Sequence, residues 1–176
     1  INDHLGHQAG DQFLIGVAES FSHCIREHDL LARLGGDEFV VLLTHLTEQQ
    51  QAQDVAKRII EIMRKPFCMK GQCIQSGASI GITYSKPSYK HTDEIIRDAD
   101  AAMYYAKNAG RNRFECFHPL LNASNVQHDA DNMHHLDDLP MHFRSAEIIT
   151  LDEQTRAESL LEAFGEHPVL GSTSFE

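Results

Sequence analysis

The chain has 176 residues, 41% of them hydrophobic and 23% charged, with a formal net charge of −11 at pH 7. That length suits one ordinary domain plus a tail, and so acidic a surface argues against non-specific nucleic-acid binding. No apolar run is long enough to span a bilayer and none reads as a secretory signal, so no membrane contact by this segment is expected.

The charge is unevenly placed. Up to His118, 13 Lys and Arg face 15 Asp and Glu; from Pro119 onward 2 face 11. The near-neutral first part can still hold a local basic site for phosphates. Ile1 is not a start methionine, so the chain is expected to be a piece of a longer protein. Cys24, Cys68, Cys73 and Cys116 form no C-x-x-C pair, and no Cys/His spacing matches a zinc site. Cys68 and Cys73 flank a Lys70-Gly71 turn and could face each other across a hairpin. Reduced thiols and a cytosolic domain are nevertheless the expectation. Among 12 histidines only His134-His135 are adjacent, with no further ligand spacing to support a metal.

In chain order, Ile1 to Asp11 is rich in Asn, Asp and Gly and reads as a loop entering a helix. Leu14, Val17, Phe21 and Ile25 recur at helical spacing, with an end near Arg26. Arg26-Glu27-His28-Asp29 leads into two apolar runs, Leu30-Leu31-Ala32 and Phe39-Val40-Val41-Leu42-Leu43. Between them Gly35-Gly36 predicts a tight β-hairpin. The tip carries no side chains and is followed by Asp37 and Glu38. An anionic ligand can therefore approach the backbone, and hard oxygen ligands stand where Mg²⁺ could bridge to phosphate.

Thr47 to Gln50 fits a capping box, with Thr47 at the N-cap. Ala52, Val55, Ala56, Ile59 and Met63 then mark a helical face, which Pro66 ends. Phe67-Cys68-Met69, the Lys-Gly turn and a longer alternating run follow. In that run Ile74, Ala78, Ile80 and Ile82 share one face. Gly81 marks a possible bulge. Thr92 is expected to cap a helix with Ile95, Ile96, Ala99, Met103 and Ala106 on its apolar stripe, stopped by Gly110. Lys107 and Arg111 are four apart and could approach one anion. Arg113 to Phe117 reads as a last strand. Beyond Pro119 the periodicity stops. Residues 119–176 read as an acidic tail or linker, largely irregular, with one short helix over 152–164.

Three stretches together carry a family resemblance. They are Arg33-Leu34-Gly35-Gly36-Asp37-Glu38-Phe39, the opening Asn2-Asp3 with Gly6-His7 and Gly10-Asp11, and Asp98 to Lys107 with Gly110-Arg111-Asn112. These resemble the signatures of GGDEF-family diguanylate cyclases, over Ile1 to about Phe117. The resemblance implies an α/β (α+β) fold of the ferredoxin-like, nucleotidyl-cyclase palm type. It has a central, mainly antiparallel sheet flanked by helices, over residues 1–118. The family's first strand, which brings a metal-binding aspartate, is absent from this chain. Unpaired strand edges are therefore expected in the middle of the sheet, and a fragment without activity by itself.

By the same resemblance, two GTP are condensed into cyclic di-GMP with release of two pyrophosphates, by two domains facing each other as a homodimer. Asp37 and Glu38 are the catalytic acids, with Asp37 the ligand for Mg²⁺ (Mn²⁺ being the alternative). Asn2, His7 and Asp11 hold guanine, and Gly35, Gly36, Lys107 and Arg111 hold the phosphates. Arg26 and Asp29 form an inhibitory product site, and Ser79-Ile80-Gly81 runs near the active site. The setting is cytoplasmic, and the parent protein is compatible with a membrane anchor upstream. Two other readings stand beside it: a GTP- or cyclic di-GMP-binding regulatory domain without turnover, and an interaction module working through the acidic tail.

Overall fold

The computed structural model describes residues 7–69, 71–124 and 142–150. In chain order the elements are α1 (His7–Ser22), β1 (Leu30–Gly35), β2 (Glu38–Leu43), α2 (Gln49–Met63), β3 (Phe67–Met69) and β4 (Gln72–Ile74). They continue with β5 (Ser76–Tyr84), α3 (Thr92–Asn108), β6 (Phe114–Cys116), α4 (Pro119–Ser124) and β7 (His142–Thr150). The main sheet has five strands in the order β1-β2-β7-β5-β6, and β3-β4 form a separate hairpin.

The α/β content matches the expectation, but the strand directions do not. Within the main sheet only β1 and β2 are antiparallel, while β2–β7, β7–β5 and β5–β6 are all parallel; the separate β3–β4 pair is antiparallel. The connections explain this. Helix α3 links β5 to β6, and a helical crossover returns the chain to lie parallel with the strand it left.

The larger correction concerns the tail. Residues expected to be irregular supply α4 and β7, and β7 is the central strand. Its backbone fills the gap where unpaired edges were expected, in register with β2 from Glu38↔Ser145 to Leu43↔Thr150 and with β5 from Ser76↔His142 to Tyr84↔Thr150. The helix expected over 152–164 lies outside the described residues, as do Asn2 and the His134-His135 pair.

Each face of the sheet buries a separate apolar layer. Phe39, Val41 and Leu43 of β2, Ala78, Ile80 and Ile82 of β5 and Ile148 of β7 pack against α1 and α2. The period of two sends Val40 and Leu42 to the other face, where they meet Ile95 and Ala99 of α3. The stripe on α2 is as its spacing predicts, with Ala52, Val55, Ala56, Ile59, Ile60 and Met63 buried. On α1 the buried residues are Phe13, Val17, Ala18 and Phe21, so Phe13 takes the place that Leu14 was expected to hold.

The helix starts are each displaced by one residue. Helix α2 is capped at Glu48, with the Gln51 side chain accepting from the Thr47 N–H at 3.0 Å and the Glu48 N–H at 3.4 Å. In α3 the N-cap is His91 and Thr92 is the first helical residue. There the Glu94 carboxylate accepts from the Lys90 N–H at 2.9 Å, which holds its pKa below the usual range.

The reduced state expected for all four cysteines is also overturned. The β3–β4 register sets Cys68 opposite Cys73, and the two are joined as a disulfide. Cys24 and Cys116 are free thiols. Burial pushes both of their pKa values up, which keeps them protonated and unreactive.

Candidate functional site

The hairpin is braced from within. Arg33 donates from Nε at 3.1 Å and from Nη2 at 2.8 Å to the Gly36 carbonyl, clasping the tip. The register shifts between Arg33 and Gly35, so the tip departs from a regular two-residue turn. Gly36 has φ +48°, which glycine adopts without steric cost. A Cβ built on Gly35 or Gly36 would meet no heavy atom within 4 Å, so the tip is bare on its outer side. Phe21 of α1 packs at a tilt of 57° against Phe39, with ring centroids 5.3 Å apart, fixing the hairpin base from behind.

Asp37 is half-buried and Glu38 exposed at the start of β2. Glu38 lines an open cleft with Asp93, Ile96, Arg97 and Asp100. From the sequence none of these four has a role in a site, and Ile96 belongs to the apolar stripe of the helix. Their spacing of i, i+3, i+4 and i+7 was the available signal, since it places them on one helix face. The face is held in place by Asp98, which is only 4% exposed. The Tyr89 hydroxyl donates to Asp98 Oδ2 at 2.7 Å and lies 3.2 Å from Thr83 Oγ1. Lys86 Nζ stands 3.7 Å from Asp98 Oδ2 and 4.3 Å from the Tyr89 ring centre. Arg97 Nη2 lies 3.6 Å from Asp98 Oδ1, within ion-pair range but too far for a hydrogen bond. Burial raises the Tyr89 pKa, so the hydroxyl stays a donor at neutral pH.

The close packing of α3 on the sheet rests on Gly81. A Cβ there would lie 2.0 Å from the Ala99 carbonyl oxygen and 2.5 Å from the Met103 nitrogen. Gly81 is thus a point of close backbone approach inside a regular strand, where the sequence suggested a bulge.

The other expected residues are distributed as follows. Asp11 is exposed on α1, four residues after His7, which opens that helix. Lys107 is half-buried in the last turn of α3. Arg111 is not on the helix, so the four-residue spacing to Lys107 does not carry a helical-face argument. The chain leaves α3 through left-handed backbone at Gly110 (φ +106°), Arg111 (φ +58°) and Asn112 (φ +51°). This turn lies against β5, where the Ile80 N–H donates to the Arg113 carbonyl at 3.0 Å. Ser79 Oγ and Asn112 Oδ1 are buried and make no hydrogen bond.

Arg26 is exposed, whereas Asp29 is only 7% exposed. The Asp29 carboxylate accepts the Arg26 N–H at 2.9 Å on Oδ2 and the Thr44 N–H at 3.1 Å on Oδ1. It therefore ties the Arg26–Asp29 turn to the far end of β2.

Among the described residues no three His, Cys, Asp or Glu side chains are grouped to hold a metal ion. Asp37 and Glu38 alone suit Mg²⁺ bound jointly with substrate phosphates, since Mg²⁺ commonly takes one or two carboxylates and completes its shell with phosphate and water.

Comparison with known proteins places this geometry. The family profile "Diguanylate cyclase, GGDEF domain" matches residues 1–113. The bifunctional diguanylate cyclase/cyclic di-GMP phosphodiesterase MucR of Pseudomonas aeruginosa is 38% identical over 136 residues, covering 77% of this chain and 20% of MucR. Diguanylate cyclase TpbB of the same species is 41% identical over 112 residues, 63% of this chain and 26% of TpbB. Cyclic di-GMP phosphodiesterase PdeR of Escherichia coli is 39% identical over 122 residues, 69% of this chain and 18% of PdeR. The chain thus spans only a small part of these curated relatives. A solved structure of the isolated GGDEF domain of TpbB superposes with TM-score 0.59 at 34% identity, covering 70% of this chain and 73% of that one. No helix among the described residues is long and apolar enough to cross a membrane. With its profile match spanning all three signature stretches up to residue 113, and the palm-type fold shared with TpbB, the chain belongs to the GGDEF family.

Proposed function

We propose that this chain is the cyclase module of a larger protein and condenses two GTP into cyclic di-GMP. The observation that carries the reading is the unbroken hairpin: a bare tip, clasped by Arg33, followed by Asp37 and by Glu38, which lines a cleft. Each domain holds one GTP. In each of two facing domains, a 3′-hydroxyl oxygen attacks the α-phosphorus of the other nucleotide. A phosphodiester bond forms, the α–β anhydride breaks, and pyrophosphate leaves. Asp37 is assigned as the acceptor of the hydroxyl proton, with Glu38 in support. A divalent cation, Mg²⁺ or Mn²⁺, would lower the pKa of the hydroxyl and neutralise charge on the phosphates.

Asn2, His7 and Asp11 are assigned to guanine. A carboxylate and an amide read its N1–H and N2–H₂ donors and its acceptor edge, and so distinguish it from adenine. Lys107 and Arg111 are assigned to the triphosphate, and Gly35-Gly36 to close backbone approach. Arg26, with its planar fork, is the candidate for binding product, and Asp29 supports the turn that presents it.

The test is cyclic di-GMP formation from GTP and Mg²⁺ by the longer protein that contains this chain, beside its Asp37→Asn variant. Asn keeps the shape and loses the charge, so turnover should be abolished with the fold intact. Near-wild-type turnover with an unchanged Mg²⁺ requirement would remove Asp37 from its role. The second reading, a nucleotide-binding regulatory domain without turnover, is favoured by the similarity to PdeR, which is named a phosphodiesterase. Saturable GTP binding without product in the same protein would select it.

A further inference from the structure

Hairpin β3–β4 stands apart from the main sheet and, among the described residues, pairs with no other strand. Its ladder is short: Phe67↔Ile74, Cys68↔Cys73 and Met69↔Gln72. A two-stranded hairpin is marginal in water unless something else holds it. Two features do. The root is tied to the end of α2, where Gln75 Nε2 donates to the Arg64 carbonyl at 2.9 Å and Ser76 Oγ to the Met63 carbonyl at 3.1 Å. The body is crossed by the Cys68–Cys73 disulfide.

We propose that Cys68 and Cys73 are a reversible thiol–disulfide site, at which a dithiol reductant loosens the hairpin from α1. Three observations carry it. The first is access. Both cysteines are exposed, so an attacking thiolate reaches the sulfurs from solvent, and exposed disulfides are the labile ones. Cys24, by contrast, is buried. The second is alignment. The two cysteines are directly opposed in the ladder, so the reduced pair stays positioned to close again. The third is what the neighbouring pair touches. The Phe67 ring meets Phe13 of α1 edge-on, with centroids 5.1 Å apart. It also lies over the α1 backbone, since a Cβ on Gly16 would stand 2.7 Å from Phe67 Cζ. Ile74, opposite Phe67, packs against the same core. The disulfide thus clamps the two residues that seat the hairpin on α1.

The step is an exchange. A thiolate of the reductant attacks one sulfur, the Cys68–Cys73 bond breaks, and a mixed disulfide forms. The reductant's second thiol then displaces the protein sulfur, and the reductant leaves as a cyclic disulfide. Two electrons pass to the protein, and the reductant's two thiol protons end on Cys68 and Cys73. A small-molecule disulfide such as oxidised glutathione reverses the change and leaves as two thiols. Helix α1 also carries His7 and Asp11, so the loosened contact is on the helix that bears two residues assigned to guanine. The redox chemistry does not rest on that assignment.

The experiment titrates the full chain with dithiothreitol and then with oxidised glutathione. Thiols are read by alkylation and mass spectrometry, and backbone amides by hydrogen exchange. Cys68 and Cys73 should become alkylated together and reversibly, with Cys24 unlabelled throughout. On reduction, amides of 67–74 should exchange roughly tenfold faster, the scale of releasing a short disulfide loop. Those of Phe13–Val17 should exchange severalfold faster, with α2 unchanged. The Cys68→Ser/Cys73→Ser chain should exchange like the reduced one and ignore dithiothreitol. In Phe67→Leu both thiols should still be released while α1 no longer responds. The proposal is overturned if the pair is reduced only when Cys24 is labelled too, as in global unfolding. It is also overturned if oxidised glutathione does not restore the crosslink, or if α1 exchanges equally in the two states. Should the serine variant fail to fold, the titration of the unmodified chain decides.

Discussion

Gly81→Ala is the substitution whose consequence follows most directly from the packing. The added Cβ would sit 2.0 Å from the Ala99 carbonyl oxygen, 2.5 Å from the Met103 nitrogen and 3.0 Å from the Met103 Cβ. Two of the three neighbours are helix backbone, which cannot rotate away as a side-chain tip would. Restoring ordinary contact requires α3 to move off β5 by roughly 1 Å or more, in a core that tolerates little change in volume. Overpacking of this kind costs about 1–3 kcal/mol, and a backbone obstacle belongs at the upper end. About 3 kcal/mol in a chain of this size lowers Tm by roughly 6–12 °C. Because α3 carries Asp93, Arg97, Asp100 and Lys107, nucleotide binding should weaken alongside stability. The assay is urea unfolding by circular dichroism, paired with GTP titration. Gly36→Ala is the control. It meets no atom within 4 Å and pays only for its φ of +48°, about 1–2 kcal/mol. If Gly81→Ala proves no more destabilising than Gly36→Ala, the close approach of α3 to β5 is not real.

Asp11→Asn should weaken GTP binding by about 1–3 kcal/mol, the scale of a charge-assisted hydrogen bond, and ATP binding much less; equal losses in the two titrations would count against guanine reading. Arg26→Ala should raise the cyclic di-GMP concentration needed for inhibition while leaving the initial rate and Tm unchanged. Asp29→Ala should differ by lowering stability about 1–3 kcal/mol, because the Arg26 and Thr44 N–H groups lose their acceptor. The Tyr84 pKa is pushed up to about 12, first by burial and then by its contact with Cys116. The folded state keeps that proton while the unfolded chain loses it near pH 10, so stability should fall as pH rises from about 10 to 12. Tyr84→Phe should flatten this decline in a pH series of urea midpoints, and an unchanged slope would assign it to other groups.

What the sequence made legible was what short-range pattern controls. The α2 stripe, the Gly35-Gly36 hairpin and the stop at Gly110 follow from local spacing and backbone freedom, and each holds. The cap positions slipped by one residue because Thr47-Gln50 and Glu48-Gln51 offer overlapping boxes; the backbone selected the second. The role of Gly81 could not be read, since close approach by a helix and a bulge call for the same residue. The central strand was missed for a deeper reason. β7 carries Arg144 and Glu147, so it lacks the apolar continuity by which buried parallel strands are recognised, and Ile148-Ile149-Thr150 was the only β-branched cue. The cleft residues on α3 were legible in spacing yet drew no attention beside the motif that follows them. The double duty of the Asp29 carboxylate depends on a contact fifteen residues away, which no local pattern reports.

The order of the strands also bears on how the molecule avoids sticking to its neighbours. The rims of the sheet are β1, whose ladder shifts register between Arg33 and Gly35, and β6, only three residues long. Short or irregular rims are poor templates for another chain. The regular strands β2 and β5 lie inside those rims, each paired on both sides. Straightening the ladder at Arg33–Gly35, or lengthening β6, should therefore lower solubility at high concentration by offering a better template at the rim.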